Sequence, residues 1–145
     1  MPHPSFTRAL PLAALAVSLV SFALPAQAAD RLTAGQYEYT ATTDGQARVL
    51  ARCVTPEEAQ TVNADAKAGR ASTEKLVQGT CTVTTYEVDA NTVSMSLKCG
   101  EGTNSTRATY HGDGWSADTT STYPAGGKIA VKKTHVDAKR VGDCK

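Results

Sequence analysis

The sequence predicts a mainly β fold: a single curved antiparallel sheet in meander order, or a partly closed barrel, of about seven strands, with one short helix after the second strand and two disulfides. Three observations lead there. Short stretches alternating polar and apolar residues with a period of two recur along the chain, separated by turns rich in Gly, Asp and Asn. Beyond residue 28, Leu, Ile and Phe are scarce while Thr, Ser and Ala abound, which suits a thin twisted sheet better than a helical core. Four cysteines, Cys53, Cys81, Cys99 and Cys144, follow an export signal, and an even count in an oxidising compartment reads as disulfides.

The export signal is the start of the chain. Arg8 precedes an apolar run from Ala9 to Ala23, and Ala26 and Ala28 form an A-x-A cleavage pattern. The expected division is a signal peptide over residues 1–28, cleaved near Ala28, and one disulfide-stapled β-domain over residues 29–145, in the periplasm or secreted. The apolar run is shorter than the roughly 20 residues a membrane span needs, so no transmembrane segment is expected in the mature chain. Arg8 is the only Lys, Arg, Asp or Glu removed, which takes 15 basic against 14 acidic residues to 14 against 14. A neutral chain has no global field for nucleic acid, and no nucleic-acid partner is expected.

The elements follow in order. Gly35 to Thr42 alternates as a half-buried strand, Thr43-Asp44-Gly45 turns, and Gln46 to Val54 carries Ala47, Val49, Ala51 and Cys53 on one face. A three-residue loop pairs Tyr39 with Val49 and Tyr37 with Ala51, whereas a two-residue loop sets Tyr37 against Arg52; matching apolar with apolar selects the longer loop. Thr55-Pro56-Glu57-Glu58 carries a helix-start signature: a Thr cap, Pro at the first helical position and Glu three residues after the cap. The helix is expected to run to Ala68 and end at Gly69, with Gly69 to Gly79 a polar loop.

From Cys81 to Cys99 the pattern is a hairpin. A two-residue turn at Ala90-Asn91 pairs Val88 with Val93 and Tyr86 with Met95, but places Cys81 and Cys99 on opposite faces. A three-residue loop sets the cysteines opposite each other and opposes Val93 to Glu87. The first register is favoured, and with it Cys53–Cys81 and Cys99–Cys144 over the alternative of Cys81–Cys99 with Cys53–Cys144. Ser105 to His111 and Trp115 to Tyr123 form a further hairpin with Tyr110 opposite Trp115. Pro124 to Gly127 turns into a last strand, Lys128 to about Arg140. There Ile129 and Val131 hold one parity and Val136 and Ala138 the other, which predicts a β-bulge near Lys132 to Thr134.

No grouping of residues suggests catalysis or a cofactor, and no cysteine pair has metal-ligand spacing. His111 and His135 are the only mature histidines, and neither sits in a nucleophile-elbow or metalloprotease pattern. Lys128, Lys132, Lys133, Lys139 and Arg140 make the last strand basic, as a sheet edge guarded against strand addition or as a rim for an anionic ligand. Tyr37, Tyr39, Tyr86, Tyr110 and Trp115 are the candidate ligand-facing aromatics, shared between core and any apolar site.

These landmarks resemble a family of small exported bacterial proteins, domain of unknown function 3617. The resemblance rests on Gly35-Gln36-Tyr37-Glu38-Tyr39-Thr40, on Cys53-Val54-Thr55-Pro56-Glu57-Glu58, and on Cys81 with Tyr86. Asn91-Thr92-Val93 leading to Cys99 and Arg140-Val141-Gly142-Asp143-Cys144 complete it. Ala90 and Asp143 depart from the family's frequent Gly and Pro. The resemblance implies a Gram-negative periplasmic or secreted location and supplies no activity. The expected function is therefore a non-enzymatic binding or envelope-support protein with a small apolar ligand or an envelope protein as partner. The alternative is a structural or protein-interaction module with a filled core.

Overall fold

The computed structural model describes residues 30–145, so the signal-peptide reading of residues 1–28 lies outside the described residues. Seven strands form one antiparallel sheet: β1 (Gly35–Thr43), β2 (Gln46–Val54), β3 (Thr82–Asp89), β4 (Thr92–Cys99), β5 (Gly102–Tyr110), β6 (Gly114–Ala125) and β7 (Lys128–Gly142). Their order is β2-β1-β7-β6-β5-β4-β3. The meander therefore runs from β3 to β7, after which β1 docks on the far side of β7 and β2 becomes an edge. The sheet stays open, with β2 and β3 each paired on one side only.

Two helices, not one, separate β2 from β3: α1 (Pro56–Asn63) and α2 (Ala66–Val77). The capping box of α1 is in place, with Glu58 N donating to Thr55 Oγ1 (3.2 Å) and Thr55 N donating to Glu58 Oε2 (2.9 Å). Asp65 then caps a second helix by accepting from Ala68 N (2.8 Å), so the segment expected to be a polar loop is helical. Gly69 does not end a helix. It lets α2 approach β3, because a Cβ there would lie 2.5 Å from the Tyr86 hydroxyl.

The β1–β2 register corrects the expected one. Asp44 (φ 51°) and Gly45 (φ 77°) form a two-residue turn with both central residues left-handed, the geometry whose twist matches a hairpin. Tyr39 therefore pairs with Leu50 and Tyr37 with Arg52. The Ala47, Val49 and Ala51 stripe faces outward, and Val49 is 62% exposed.

The disulfides are also the reverse of the favoured pairing: Cys53–Cys144 and Cys81–Cys99. The β3–β4 register is the expected one, with Val88 opposite Val93 and Tyr86 opposite Met95. Between Val83 and Thr85, however, the register shifts, and Thr84 is an extra residue in β3. A bulge of one residue reverses the parity beyond it, and Cys81 comes round to the face of Cys99. Cys53–Cys144 then ties the end of β2 to the segment after β7, straddling β1.

The bulge expected near Lys132 to Thr134 is absent, for β6 and β7 pair without a break from Gly114↔Lys139 to Ala125↔Lys128. Ile129 and Val131 simply lie on the outer face, each 59% exposed. The actual irregularity in β7 falls at its other end, where Val141 is the extra residue between Gln36↔Gly142 and Tyr37↔Arg140. Nor is β7 an edge over its whole length: Thr134 to Gly142 is flanked by β1 and β6. Only Lys128 to Lys133 projects past the end of β1, so edge protection applies to Lys128, Lys132 and Lys133 alone.

Leu32, Tyr37, Tyr39, Val54, Ala59 and Ala138 form the main core between α1 and the inner face of the sheet. Arg31, buried beneath it, donates to the carbonyls of Val62 (2.8 Å), Ala90 (3.2 Å) and Ala64. Two of those carbonyls belong to the C-terminal end of α1 and the third to the β3–β4 turn. One guanidinium thus caps a helix and pins a hairpin to it. Asn63 fastens the same segment, accepting from Leu32 N and donating to Leu32 O, both at 2.9 Å.

Candidate functional site

The five candidate aromatics do share the inner face, because their pairings place them at one parity across the sheet. They do not share one site. Tyr37 is wholly buried, and its hydroxyl donates to Thr33 O (2.8 Å). Burial raises its pKa, with Arg140 acting in the opposite sense. Tyr37 is core.

Tyr86 and Tyr110 line a small cleft of about 140 Å³ between α1, α2 and the β3–β5 strands, together with Val62, Val93 and Met95. Burial pushes the Tyr110 phenol up to about 12, with the neighbouring Tyr86 adding to the shift, and burial likewise raises Tyr86. Phenols held this far from ionisation pack and hydrogen-bond; they do not exchange protons near neutral pH.

Tyr39 and Trp115 meet edge to face, ring centroids 5.7 Å apart, and line an open groove of about 530 Å³. Ala41, Leu50 and Val136 supply the rest of its apolar floor. Every wall residue is on a strand; the helices cover the neighbouring part of the inner face and stop short of it. Leu50 remains 60% exposed, so the groove is unroofed. The volume falls in the range of small-molecule sites, roughly 300–1,000 Å³.

Arg52 fixes the mouth. Its Nε donates to the Tyr39 hydroxyl (2.9 Å) and its Nη2 pairs with Glu58 Oε1 (3.1 Å), linking the groove to the first turn of α1. The Tyr39 hydroxyl, followed by the charges of Tyr39 and Glu58, holds the guanidinium pKa above its ordinary value. The two-residue Asp44-Gly45 turn places Arg52 and Leu50 here, and apolar parity in the sequence argued against that turn. The groove was partly visible in the sequence as Tyr39 and Trp115, while Leu50 and Arg52 gave no signal of their own.

On the outer face, His135 lies between two carboxylates, Nδ1 2.8 Å from Asp118 Oδ1 and Nε2 3.1 Å from Asp137 Oδ2. The hydrogen bond to Asp118 raises its pKa, with both aspartate charges adding to it. Both ring nitrogens are thereby engaged. Among the described residues no group of three His, Cys, Asp or Glu is arranged to hold a metal ion. No helix among them is long and apolar enough to cross a membrane.

No curated protein and no solved structure matches the chain. A family model, that of the proteins of unknown function DUF3617, matches residues 32–144. Since that stretch takes in every strand and helix among the described residues and all four disulfide cysteines, the chain belongs to the DUF3617 family.

Proposed function

We propose that this protein is an exported, non-enzymatic binding protein that takes a small apolar ligand in the groove beside Tyr39 and Trp115. The observation that carries the reading is the groove itself: about 530 Å³ of mostly apolar wall, built on rigid strands and left uncovered by the helices. A site on strands keeps its shape, so binding needs little ordering of the protein. The signal-peptide pattern of residues 1–28 supports a periplasmic or secreted location.

Native mass spectrometry of the protein purified from its own host tests the reading. A co-purifying apolar small molecule, lost in Leu50→Asp, is the expected result. A protein partner retained in place of any small molecule would transfer support to the second reading, an interaction module docking through the β2 edge. Val49 and Leu50, both more than half exposed on that edge, are what favours this alternative.

A further inference from the structure

The groove does not end at its apolar floor. Ala41 and Leu50 are shared with an adjoining depression of about 430 Å³ that runs toward the β1–β2 turn and is lined by Arg48 and Lys132. Arg48 sits one inner-face position beyond Leu50 on β2, and Lys132 stands on the part of β7 that projects past the end of β1. The two cations therefore border the same depression from different strands. Asp44 lines it as well, leaving two positive charges against one negative.

Arg48 is conspicuous among the six arginines of the described chain. Arg31 and Arg140 donate to backbone carbonyls, Arg52 to Tyr39, Arg70 to Glu74 and Val83, and Arg107 to Ser94. Arg48 has no hydrogen-bonding partner among the described residues, and neither it nor Lys132 appears in an ion pair there. A guanidinium presents a planar fork that matches a carboxylate, and although Asp44 lines the same depression it forms no ion pair with Arg48.

Resting on the binding reading above, we infer that the ligand is a single-chain amphiphile with a carboxylate head, a fatty-acid-like molecule. Its tail lies along Leu50, Ala41 and Val136 against Tyr39 and Trp115, and its head reaches Arg48 and Lys132. The chemistry is complementary along the whole trough: apolar area at the aromatic end, unpaired cations at the open end. A neutral hydrocarbon leaves those cations unused, and a short polar anion leaves the floor uncovered.

Trp115 is the only tryptophan in the chain, so its emission reports on the groove directly. The disulfide-bonded protein is titrated at low ionic strength with decanoate and with 1-decanol, both below the concentrations at which they aggregate. Both are expected to shift the emission, with decanoate binding about tenfold more tightly, the scale of one charge-assisted contact at a solvent-exposed site. That preference is expected to fade at high salt. Arg48→Gln with Lys132→Gln should bring decanoate down to the affinity of 1-decanol and leave 1-decanol unchanged; both residues are on the surface, and a thermal melt verifies folding. Equal binding of the two probes by the unaltered protein, or a preference that survives the double substitution, overturns the carboxylate assignment while sparing the apolar groove. Binding of neither probe removes the groove reading itself.

Discussion

The two disulfides close loops of very different length, and that difference orders their effects on stability. Cys53–Cys144 spans 91 residues of sequence and Cys81–Cys99 spans 18. The chain-entropy relation assigns about 4.6 kcal/mol to the first and about 3.2 kcal/mol to the second. The gap widens in practice, because Cys81 and Cys99 close the open end of a hairpin that its own ladder brings together, and residual hairpin structure in the unfolded chain reduces what that link adds. Cys53–Cys144 has no local substitute: it holds an edge strand to the segment following a central one. Cys53→Ala/Cys144→Ala is therefore expected to lose at least about 1.4 kcal/mol more than Cys81→Ala/Cys99→Ala, a substantial share of a total that is typically about 5–15 kcal/mol. Equilibrium urea unfolding followed by far-UV circular dichroism should separate the two midpoints by about 0.5–1 M. A less stable Cys81→Ala/Cys99→Ala protein would refute the loop-length reasoning. Non-reducing peptide mapping that recovered a Cys53–Cys81 link would refute the pairing itself.

Ala90 holds φ 47° at the first position of the β3–β4 turn, a conformation costly to a residue with a Cβ, so Ala90→Gly should stabilise by up to about 1 kcal/mol; an unchanged or lower thermal midpoint would count against the strain. Arg31→Met keeps the bulk of the buried stem but leaves three carbonyls without their donor, and a loss of about 2–3 kcal/mol in urea unfolding is expected; a loss below 1 kcal/mol would show water replacing the guanidinium. His135 has its pKa raised from the ordinary 6.5 by Asp118 and Asp137. Its contribution to stability is therefore complete below that ordinary value and is lost as pH rises through the raised one. In Asp118→Asn the imidazole midpoint seen by NMR should fall toward 6.5, and an unmoved midpoint would mean that the hydrogen bond does not form in solution.

Much of this fold is legible in the sequence because turns and pairings are local. The Thr55-to-Glu58 capping box, the Ala90-Asn91 turn and the Tyr110–Trp115 pairing all depend on residues a few positions apart, and all stand in the structure. Apart from the Asp44-Gly45 turn, what escapes is mostly set by contacts at long range. Gly69 reads as a helix stop until Tyr86, on a strand beyond it, is seen to need the space. Thr84 gives no sign that it is an extra residue, yet it alone decides which cysteine faces Cys99. The docking of β1 against β7 puts the last strand inside the sheet, and nothing in the lysines of that strand announces it. Of the candidate site, the aromatic end was legible, and Lys132 stood among the lysines of a possible anionic rim, but Arg48 gave no signal, since the two cations meet only through that same docking.

The first hairpin joins these failures of parity to the candidate site. Pairing apolar with apolar would turn Ala47, Val49 and Ala51 toward the core and send Arg48, Leu50 and Arg52 to the outer face. The Asp44-Gly45 turn does the opposite, leaving Val49 exposed in order to present two arginines and one leucine to the inner face. On burial alone this is the poorer arrangement, because a one-residue change of register exchanges every side chain of the strand between faces. Arg52 recovers part of the loss by joining Tyr39 to Glu58. Arg48 recovers none, having no hydrogen-bonding or ion-pair partner among the described residues. Where local consistency is given up without internal compensation, function is the usual beneficiary. That reasoning places the unexplained arginine and the unroofed groove in the same account, and ties both to a turn of two residues.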